Sequence, residues 1–369
     1  MTAEIEERRR SGLLLGGPLG RGLLAAVAGI DGLRLLAAAG EPVPDGVVFF
    51  AASTGTDDPL DGSGWPAEWA ADERTASEMI AAAVAGASAP ASQPWRGDQA
   101  ELLRHVAAVA EGWAFSGQDA GQLLAGNAEL LRPVAEAVAG APSAAWWWHP
   151  VDRRNQRWLG CAHHEDLARG DAVARAVRLA ADAESEGGDA LPWPPPEGEI
   201  YSGTWWSGPL GGTAWTTRGD VAGLLAVGLA CAEDALGPER FEVWQVTIDP
   251  GARIYEVHSP QDWGRLAASF PRDVTVSRRH DWYRWTGHEG PWILPDWPAV
   301  ARRWDGVHVS VGGYLSTAGM RVDAGGAATL LAGWDADQTL WLDDVFTSAR
   351  HIAAWEGTPG PEALEPDGG

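Results

Sequence analysis

The sequence predicts an α+β protein in which a mostly helical N-terminal region is followed by a Trp-rich mixed α+β domain with short strands. Three stretches before residue 140 are rich in alanine and carry leucine or glutamate at helical spacing, at 66–87, 98–114 and 119–139. Beyond residue 199 the pattern changes to short β-branched and aromatic runs separated by turn residues, which is typical of a sheet with short connections. Of the 22 tryptophans, 18 lie between Trp146 and Trp355, which places the larger core in the second part of the chain.

The changes of composition divide the chain into four segments. Residues 1–140 are expected to form the helical domain, and 141–198 a helical connector that contains a charged helix at 164–185. The connector ends in a Pro-rich linker, because three consecutive prolines fit neither a helix interior nor a central strand. Residues 199–356 form the predicted α+β functional domain. The tail 357–369 has little apolar content and is expected to be disordered.

Local patterns predict individual elements within these segments. Leucine and alanine spacing predicts a helix over 20–39, and a short apolar run predicts a buried strand at 47–50. Asp98 and Asp119 are expected to cap the helices that begin after them. The predicted strands of the functional domain are 241–248, 252–257, 306–310 and 328–332, and its predicted helices are 219–236, 260–269 and 297–304.

The charge balance limits the classes of partner. The chain has 51 acidic and 27 basic residues, every basic one an arginine, for a net charge of −24. This charge repels a phosphate backbone, so we expect neither stable nucleic-acid binding nor attachment to an anionic membrane. A small molecule or a basic patch on another protein is the expected partner. The use of arginine without lysine, beside abundant alanine and glycine, is typical of a GC-rich bacterial genome.

Cysteine usage and hydropathy give two further expectations. Cys161 and Cys231 each stand alone, which excludes Cys-x-x-Cys zinc sites and a disulfide framework, and we expect no metal. No stretch approaches the ~18–20 uncharged apolar residues that cross a bilayer. Three arginines at 8–10 precede a short leucine run as in a secretion signal, but acidic residues precede them and Arg21 interrupts the run. We therefore expect a cytoplasmic protein.

The most informative stretch is 199–218, EIYSGTWWSGPLGGTAWTTR. A Tyr-x-Gly-Thr that ends a short strand, followed about a dozen residues later by Thr-Thr-Arg, resembles the core of mono-ADP-ribosyltransferases. Members of that family begin the core with a strand ending in Arg or His before Gly-Thr or Gly-Ser, and continue with a Ser-Thr strand that braces the NAD site. The resemblance covers about 50 residues, up to the turn Asp249-Pro250-Gly251.

The resemblance implies that the chain uses NAD as a substrate, as an ADP-ribosyltransferase or NAD glycohydrolase acting on a protein or small molecule. Nicotinamide leaves the ribose as positive charge develops there, so a carboxylate must stabilise that charge while an aromatic ring stacks on the nicotinamide. The residues that would frame the NAD pocket are Tyr201, Gly203, Thr204, Trp215, Thr216, Thr217 and Arg218.

The sequence departs from the family pattern at its two catalytic positions. Ser202 stands where the family has Arg or His, and we assign it to the catalytic set by position. The Glu-x-Glu or Gln-x-Glu of the family is missing, and the nearest substitute is Asp335-Ala336-Asp337. We assign Asp337 as the catalytic acid, although an aspartate is one methylene shorter than a glutamate and small displacements slow catalysis strongly.

Two other groups of residues leave alternatives open. Strand alternation places Glu256 and His258 on one face, either as a general-base pair or as a structural pair, and it also places His308 and Ser310 together. The segment 278–297 is dense in Arg and Trp, and it is either a ligand-facing loop or a stacked minicore under a long loop. If this loop binds a partner, the alternative function is that of a non-catalytic interaction protein.

Overall fold

The computed structural model describes the chain in several ranges: residues 3–29, 78, 80–82, 84–85, 97–161, 193, 204–209, 214–233 and 239–364, without the side chains of 111–123, 161, 284 and 362. The predicted strand 47–50, the predicted helix 164–185 and most of the predicted helix 66–87 lie outside these residues. The chain divides into two compact units, Met1–Gly97 with Gly112–Ala144, and Asp98–Glu111 with Ala145–Gly369. None of the helices in the described ranges is long and apolar enough to cross a membrane.

The described elements of the first unit are helical. Helix α1 (Ala3–Gly16) packs against α2 (Pro18–Val27) and against α4 (Arg132–Ala139). Helix α2 begins two residues earlier than the predicted helix 20–39 because proline fits the first turn, where no partner for its nitrogen is needed. Leucines supply the buried contacts of this unit, with Leu14 and Leu23 fully enclosed.

A single long helix, α3 (Gln99–Gly126), replaces the two helices expected at 98–114 and 119–139. Asp98 caps it as predicted, because its carboxylate accepts a hydrogen bond from the Glu101 backbone nitrogen at 2.7 Å. Asp119, expected to begin a second helix, lies inside α3. The break comes later, at Asn127, where a 3-10 turn (Ala128–Leu131) leads into α4.

The second unit is built around a seven-stranded sheet. Its strand order is β11-β3-β1-β2-β10-β7-β4, in which β4 and β7 are parallel and every other neighbouring pair is antiparallel. The strands are β1 (Gln156–Cys161), β2 (Ala214–Arg218), β3 (Glu239–Ile248), β4 (Ile254–Val257), β7 (Gly306–Val309), β10 (Gln338–Trp341) and β11 (Phe346–Gly357). The mixed sheet and its helices agree with the predicted α+β class.

Strand register assigns each side chain to one of two faces, because partners across a ladder share a face and neighbours along a strand alternate. The Trp158 face carries Trp158, Thr216, Arg218, Thr339, Trp341, His308 and Glu256. The Trp215 face carries Arg157, Leu159, Trp215, Thr217, Gln338 and Leu340. The Trp158 face contains an apolar cluster of Trp158, Ala214, Val246, Ile248, Ala252, Trp341 and Val345.

Smaller elements complete the second unit. They are α5 (Val227–Ala230), α6 (Pro260–Ser269), β5 (Pro271–Asp273), α7 (Thr275–Thr286), β6 (Ile293–Pro295), α8 (Trp297–Ala301), α9 (Val311–Thr317), β8 (Val322–Asp323) and β9 (Ala328–Thr329). Helix α6 has the bounds predicted from the sequence, since Ser259 caps it and Pro260 opens it.

Three segments differ from their expected structure. The expected connector 141–198 contributes β1, which lies between β2 and β3 in the middle of the sheet. Only Val227–Ala230 is helical in the described part of the expected helix 219–236. The described part of the tail expected to be disordered has regular structure: β11 ends at Gly357, a 3-10 turn spans Pro361–Leu364, and Gly360 donates a hydrogen bond to the Leu229 carbonyl at 2.7 Å.

Candidate functional site

A cavity of about 320 Å³ opens on the Trp215 face. An adjoining cavity of about 300 Å³ shares six of its lining residues. These shared residues are Leu159, Trp206, Gly228, Gly333, Asp335 and Gln338. The first cavity adds Arg157, Trp215 and Thr217, and the second adds Glu233 and Glu239. Among the described lining residues, aromatic rings, the cation Arg157 and the carboxylates of Glu233, Glu239 and Asp335 therefore lie along one concave surface.

The predicted strand Trp215–Arg218 contributes to this cavity through alternate residues. Trp215 and Thr217 face it, and the Thr217 hydroxyl accepts a hydrogen bond from the Gly228 backbone nitrogen at 3.1 Å. Thr216 also lines the cavity, but its hydroxyl lies on the Trp158 face between Gln156 Oε1, at 2.6 Å, and Trp341 Nε1, at 2.8 Å.

Arg218, the last residue of the predicted motif, points away from the cavity. It lies on the Trp158 face, with its guanidinium 5.3 Å from the Trp146 ring centre and 3.5 Å from an Asp152 carboxylate oxygen. A terminal nitrogen also donates to the Pro150 carbonyl at 3.3 Å. These contacts give Arg218 a structural role on that face.

The other half of the predicted motif is described only at its end. Tyr201, Ser202 and Gly203 lie outside the described residues. The Thr204 backbone nitrogen donates to the Ser277 carbonyl at 3.1 Å, and Thr204 is not among the residues that line either cavity. Trp206, two residues further on, does line both.

Helix α7 holds Trp206 in place. The Arg278 guanidinium donates twice to the Trp206 carbonyl, at 2.9 and 3.2 Å, and Trp282 Nε1 donates to the Trp205 carbonyl at 2.9 Å. Trp206 as a whole residue is 40% exposed. The segment 278–297, expected as a long loop, is therefore largely α7 and β6, and its Arg278, Trp282 and Trp292 are buried.

Gly333 allows the Trp206 ring to lie close to the backbone. A methyl group at this position would overlap the ring, and the φ of Gly333 is +69°. We expect Gly333→Ala to lower the free energy of unfolding by about 1 kcal/mol from backbone strain and by a further ~1–3 kcal/mol from overpacking. Urea denaturation measures the sum.

Gly325 is the matched control for this substitution. Its φ is +73°, but a methyl group there would meet only Ala268 at an ordinary 3.7 Å. Gly325→Ala should therefore lower the free energy of unfolding by the backbone strain alone, about 1 kcal/mol. Equal losses for the two variants would mean that Trp206 does not pack on Gly333.

The two aspartates of the Asp335-Ala336-Asp337 substitute lie on opposite faces of the sheet. Asp335 lines both cavities, accepting from the Glu233 backbone nitrogen at 2.9 Å and from Gln338 Nε2 at 3.0 Å. Asp337, which we assign as the catalytic acid from the sequence, is 1% exposed and turned toward the Trp158 face. Its φ of +58° makes the turn that separates the two carboxylates. The structure thus brings Asp335, not Asp337, together with Trp215 and Thr217.

Asp337 belongs to a buried charged network on the Trp158 face. Its Oδ2 accepts from the Arg218 backbone nitrogen at 3.0 Å, and its Oδ1 lies 3.3 Å from His308 Nε2. The other ring nitrogen of His308 lies 2.6 Å from Glu256 Oε2. Glu256 Oε1 in turn accepts from the Val151 backbone nitrogen at 3.1 Å.

The His308 imidazole is charged at neutral pH. Burial alone lowers the pKa of His308, but the charge of Glu256, the hydrogen bonds to Asp337 and Glu256 and the charge of Asp337 outweigh burial and raise the pKa to about 9. Both ring nitrogens then donate, one to each carboxylate. Because the charge of His308 is matched by these two carboxylates inside the protein, we interpret the network as structural.

The predicted pair of Glu256 and His258 lies beside this network. His258 Nε2 is 3.9 Å from Glu256 Oε2, and its Nδ1 is 2.9 Å from the Ser310 hydroxyl. Ser310 caps α9 by accepting from the Gly313 backbone nitrogen at 3.1 Å. Strand alternation therefore predicts this group correctly, and the capping role of Ser310 favours a structural interpretation.

A second carboxylate, Glu233, lines the adjoining cavity. Its Oε1 accepts from the Gly333 backbone nitrogen at 3.2 Å, and its Oε2 is 3.5 Å from the Tyr314 hydroxyl. Burial, followed by the charges of Glu233 and Asp335, raises the pKa of Tyr314 well above its ordinary value, so the phenol remains neutral. Sequence patterns gave no signal for Glu233, since it lies in the segment expected to be helix.

Arg157 is the one positively charged residue among the described residues that line the first cavity. It is 2% exposed, and a terminal nitrogen donates to an Asp220 carboxylate oxygen at 2.7 Å. Gly219 packs against the guanidinium, and a methyl group there would overlap it. The sequence gives no signal for Arg157, because β1 lies in the segment expected to be a connector.

Comparisons with known proteins identify no relative of this chain. No family model, no curated protein and no solved structure matches this chain.

Proposed function

We propose that the cavity on the Trp215 face binds NAD and cleaves its nicotinamide–ribose bond, transferring ADP-ribose to a protein, a small molecule or water. This proposal rests on one observation: Trp215, Thr217 and the carboxylate of Asp335 line the same cavity. Asp335 takes the role for which the sequence suggested Asp337. The alternative function, a non-catalytic interaction protein, stays a prediction.

The residues of the cavity fit the parts of NAD. The buried Arg157 guanidinium can bind a phosphate bidentately, and its Nε has no hydrogen-bond partner among the described residues. The rings of Trp206 and Trp215 offer surfaces on which a base or nicotinamide can stack. Bound NAD would supply the electrophilic ribose carbon and nicotinamide as the leaving group.

Asp335 is held where it can stabilise positive charge developing on the ribose. The Glu233 backbone nitrogen and Gln338 Nε2 each donate to a different oxygen of its carboxylate. A carboxylate fixed in this way needs little reorganisation during the reaction. Trp206 lines the same cavity, and α7 holds its backbone.

Trp206→Ala is expected to weaken NAD binding about tenfold, because a stacked base contributes about 1–3 kcal/mol. Isothermal titration calorimetry of NAD with each variant measures the change. Trp304 provides the control, since its ring packs against Tyr255 and does not line either cavity. Unchanged affinity in Trp206→Ala, or an equal loss in Trp304→Ala, would contradict this role of the cavity.

A further inference from the structure

The turn that follows β2 has an unusual backbone. Asp220 and Ala222 have φ of +50° and +55°, and Gly223 has φ of +84°. Side chains with a Cβ disfavour this left-handed region, although aspartate tolerates it better than most. The turn is nevertheless fixed at its start, because Asn155 bonds to both backbone groups of Gly219, at 2.6 and 3.0 Å.

This turn places one carboxylate against the cation of the cavity. Asp220 has a side chain that is 73% exposed, and it reaches Arg157, whose side chain is 2% exposed, at 2.7 Å. Val221 and Leu224, which follow Asp220 in the turn, are both buried, so the turn packs against the protein while Asp220 stays exposed. The pair therefore joins a buried cavity residue to an exposed one.

Asp220 occupies only part of the hydrogen-bonding capacity of Arg157. One terminal nitrogen donates to Asp220, and the other is 3.3 Å from the Gln156 carbonyl. A guanidinium has five N–H donors in a planar fork that matches a phosphate as well as a carboxylate. Because Asp220 is mostly exposed, its carboxylate can return to water at little cost.

We infer that Asp220 is an internal competitor for the anion-binding position at Arg157, which a phosphate or pyrophosphate group of the ligand takes by displacing it. This inference rests on the proposed function in placing a phosphorylated ligand in the cavity, but not on the cleavage of NAD. Asp220 thereby sets how strongly an anion must bind Arg157 before it takes this position.

Inorganic pyrophosphate is the probe that tests this competition, with its dissociation constant measured by isothermal titration calorimetry. Asp220→Asn keeps a residue that tolerates the left-handed turn but removes the charge. We expect it to bind pyrophosphate about fivefold more tightly than the wild type. A merely structural role for Asp220 would leave affinity unchanged or lower it, and either result overturns the inference.

Two further variants test whether the change in pyrophosphate affinity arises at Arg157. Arg157→Gln should abolish detectable pyrophosphate binding, and Asp220→Asn should have no effect in the Arg157→Gln background. Asp323→Asn, at an exposed aspartate on β8, removes the same charge elsewhere and should leave the affinity unchanged. Binding that survives Arg157→Gln, an equal gain in Asp323→Asn, or no binding to either wild type or Asp220→Asn would overturn the inference.

The same titrations separate this inference from the proposed function. If pyrophosphate binds more tightly to Asp220→Asn but NAD is not cleaved, the competition stands and the proposed reaction fails. If NAD is cleaved but Asp220→Asn does not strengthen pyrophosphate binding, the reaction stands and the competition fails.

Discussion

Replacing His308 with alanine is expected to lower the free energy of unfolding of the second unit by about 3–5 kcal/mol. The imidazolium donates to Asp337 and to Glu256, and its side chain is fully buried. Removing it takes one cation away from two carboxylates, of which Asp337 is nearly fully buried and Glu256 is 23% exposed. Urea denaturation followed by tryptophan fluorescence measures the loss, since most of the tryptophans lie in this unit.

His351 provides a matched control. It also lies 2.6 Å from a glutamate, Glu242, but both side chains are about 40% exposed. Solvent screens such a pair, so His351→Ala should leave the midpoint of unfolding almost unchanged. Similar losses in the two variants would show that burial does not govern the strength of the His308 network.

The pH dependence of stability gives a second readout for His308. Its pKa is about 9 in the folded protein, above the ordinary 6.5, so the folded state holds the proton more tightly. The resulting stabilisation is complete below about pH 6.5 and is lost as pH rises through 9. The difference between wild type and His308→Ala should therefore shrink over this range. A difference that stays constant or grows would contradict a charged His308.

Asp335→Asn is expected to slow nicotinamide release from NAD by about 100-fold to 1000-fold. The substitution preserves the shape of the side chain but removes the charge that would stabilise the ribose as nicotinamide leaves. NAD should still bind, because the binding contacts proposed for Arg157 and the two cavity tryptophans are unchanged. Steady-state assays of nicotinamide, together with calorimetry, separate turnover from affinity.

Asp337→Asn is the control that distinguishes the two aspartates. Because Asp337 accepts from Arg218 and His308 on the opposite face, its loss should lower stability but leave the turnover of folded protein nearly unchanged. The reverse pattern, with activity lost in Asp337→Asn and kept in Asp335→Asn, would assign the catalytic acid to Asp337.

Sequence patterns predict the elements that carry strong local signals. Helix α6 is predicted with its bounds because Ser259 and Pro260 mark its start, and β3, β4 and β7 are predicted because apolar and β-branched residues fill them. Strand β1 is missed because it carries Gln156 and Arg157, two polar residues that are buried. Their burial depends on partners more than 50 residues away, which local patterns do not contain.

The candidate site is predicted only in part for a similar reason. The Trp-Thr-Thr stretch of β2 is identified from its motif, and it does line a cavity. The choice between Asp335 and Asp337 depends on the left-handed turn at Asp337, which a non-glycine residue rarely adopts and which the sequence does not indicate. The backbone contacts that hold Trp206 depend on α7, which the sequence suggested as a loop.

The release of nicotinamide from NAD by the purified wild-type chain tests the central claim most directly. We expect nicotinamide to accumulate in proportion to protein concentration, and the rate to fall at least about 100-fold in Asp335→Asn. A thermal shift caused by NAD should accompany turnover, because a ligand that binds the folded state stabilises it. No nicotinamide release together with no thermal shift would contradict the assignment of this cavity to NAD.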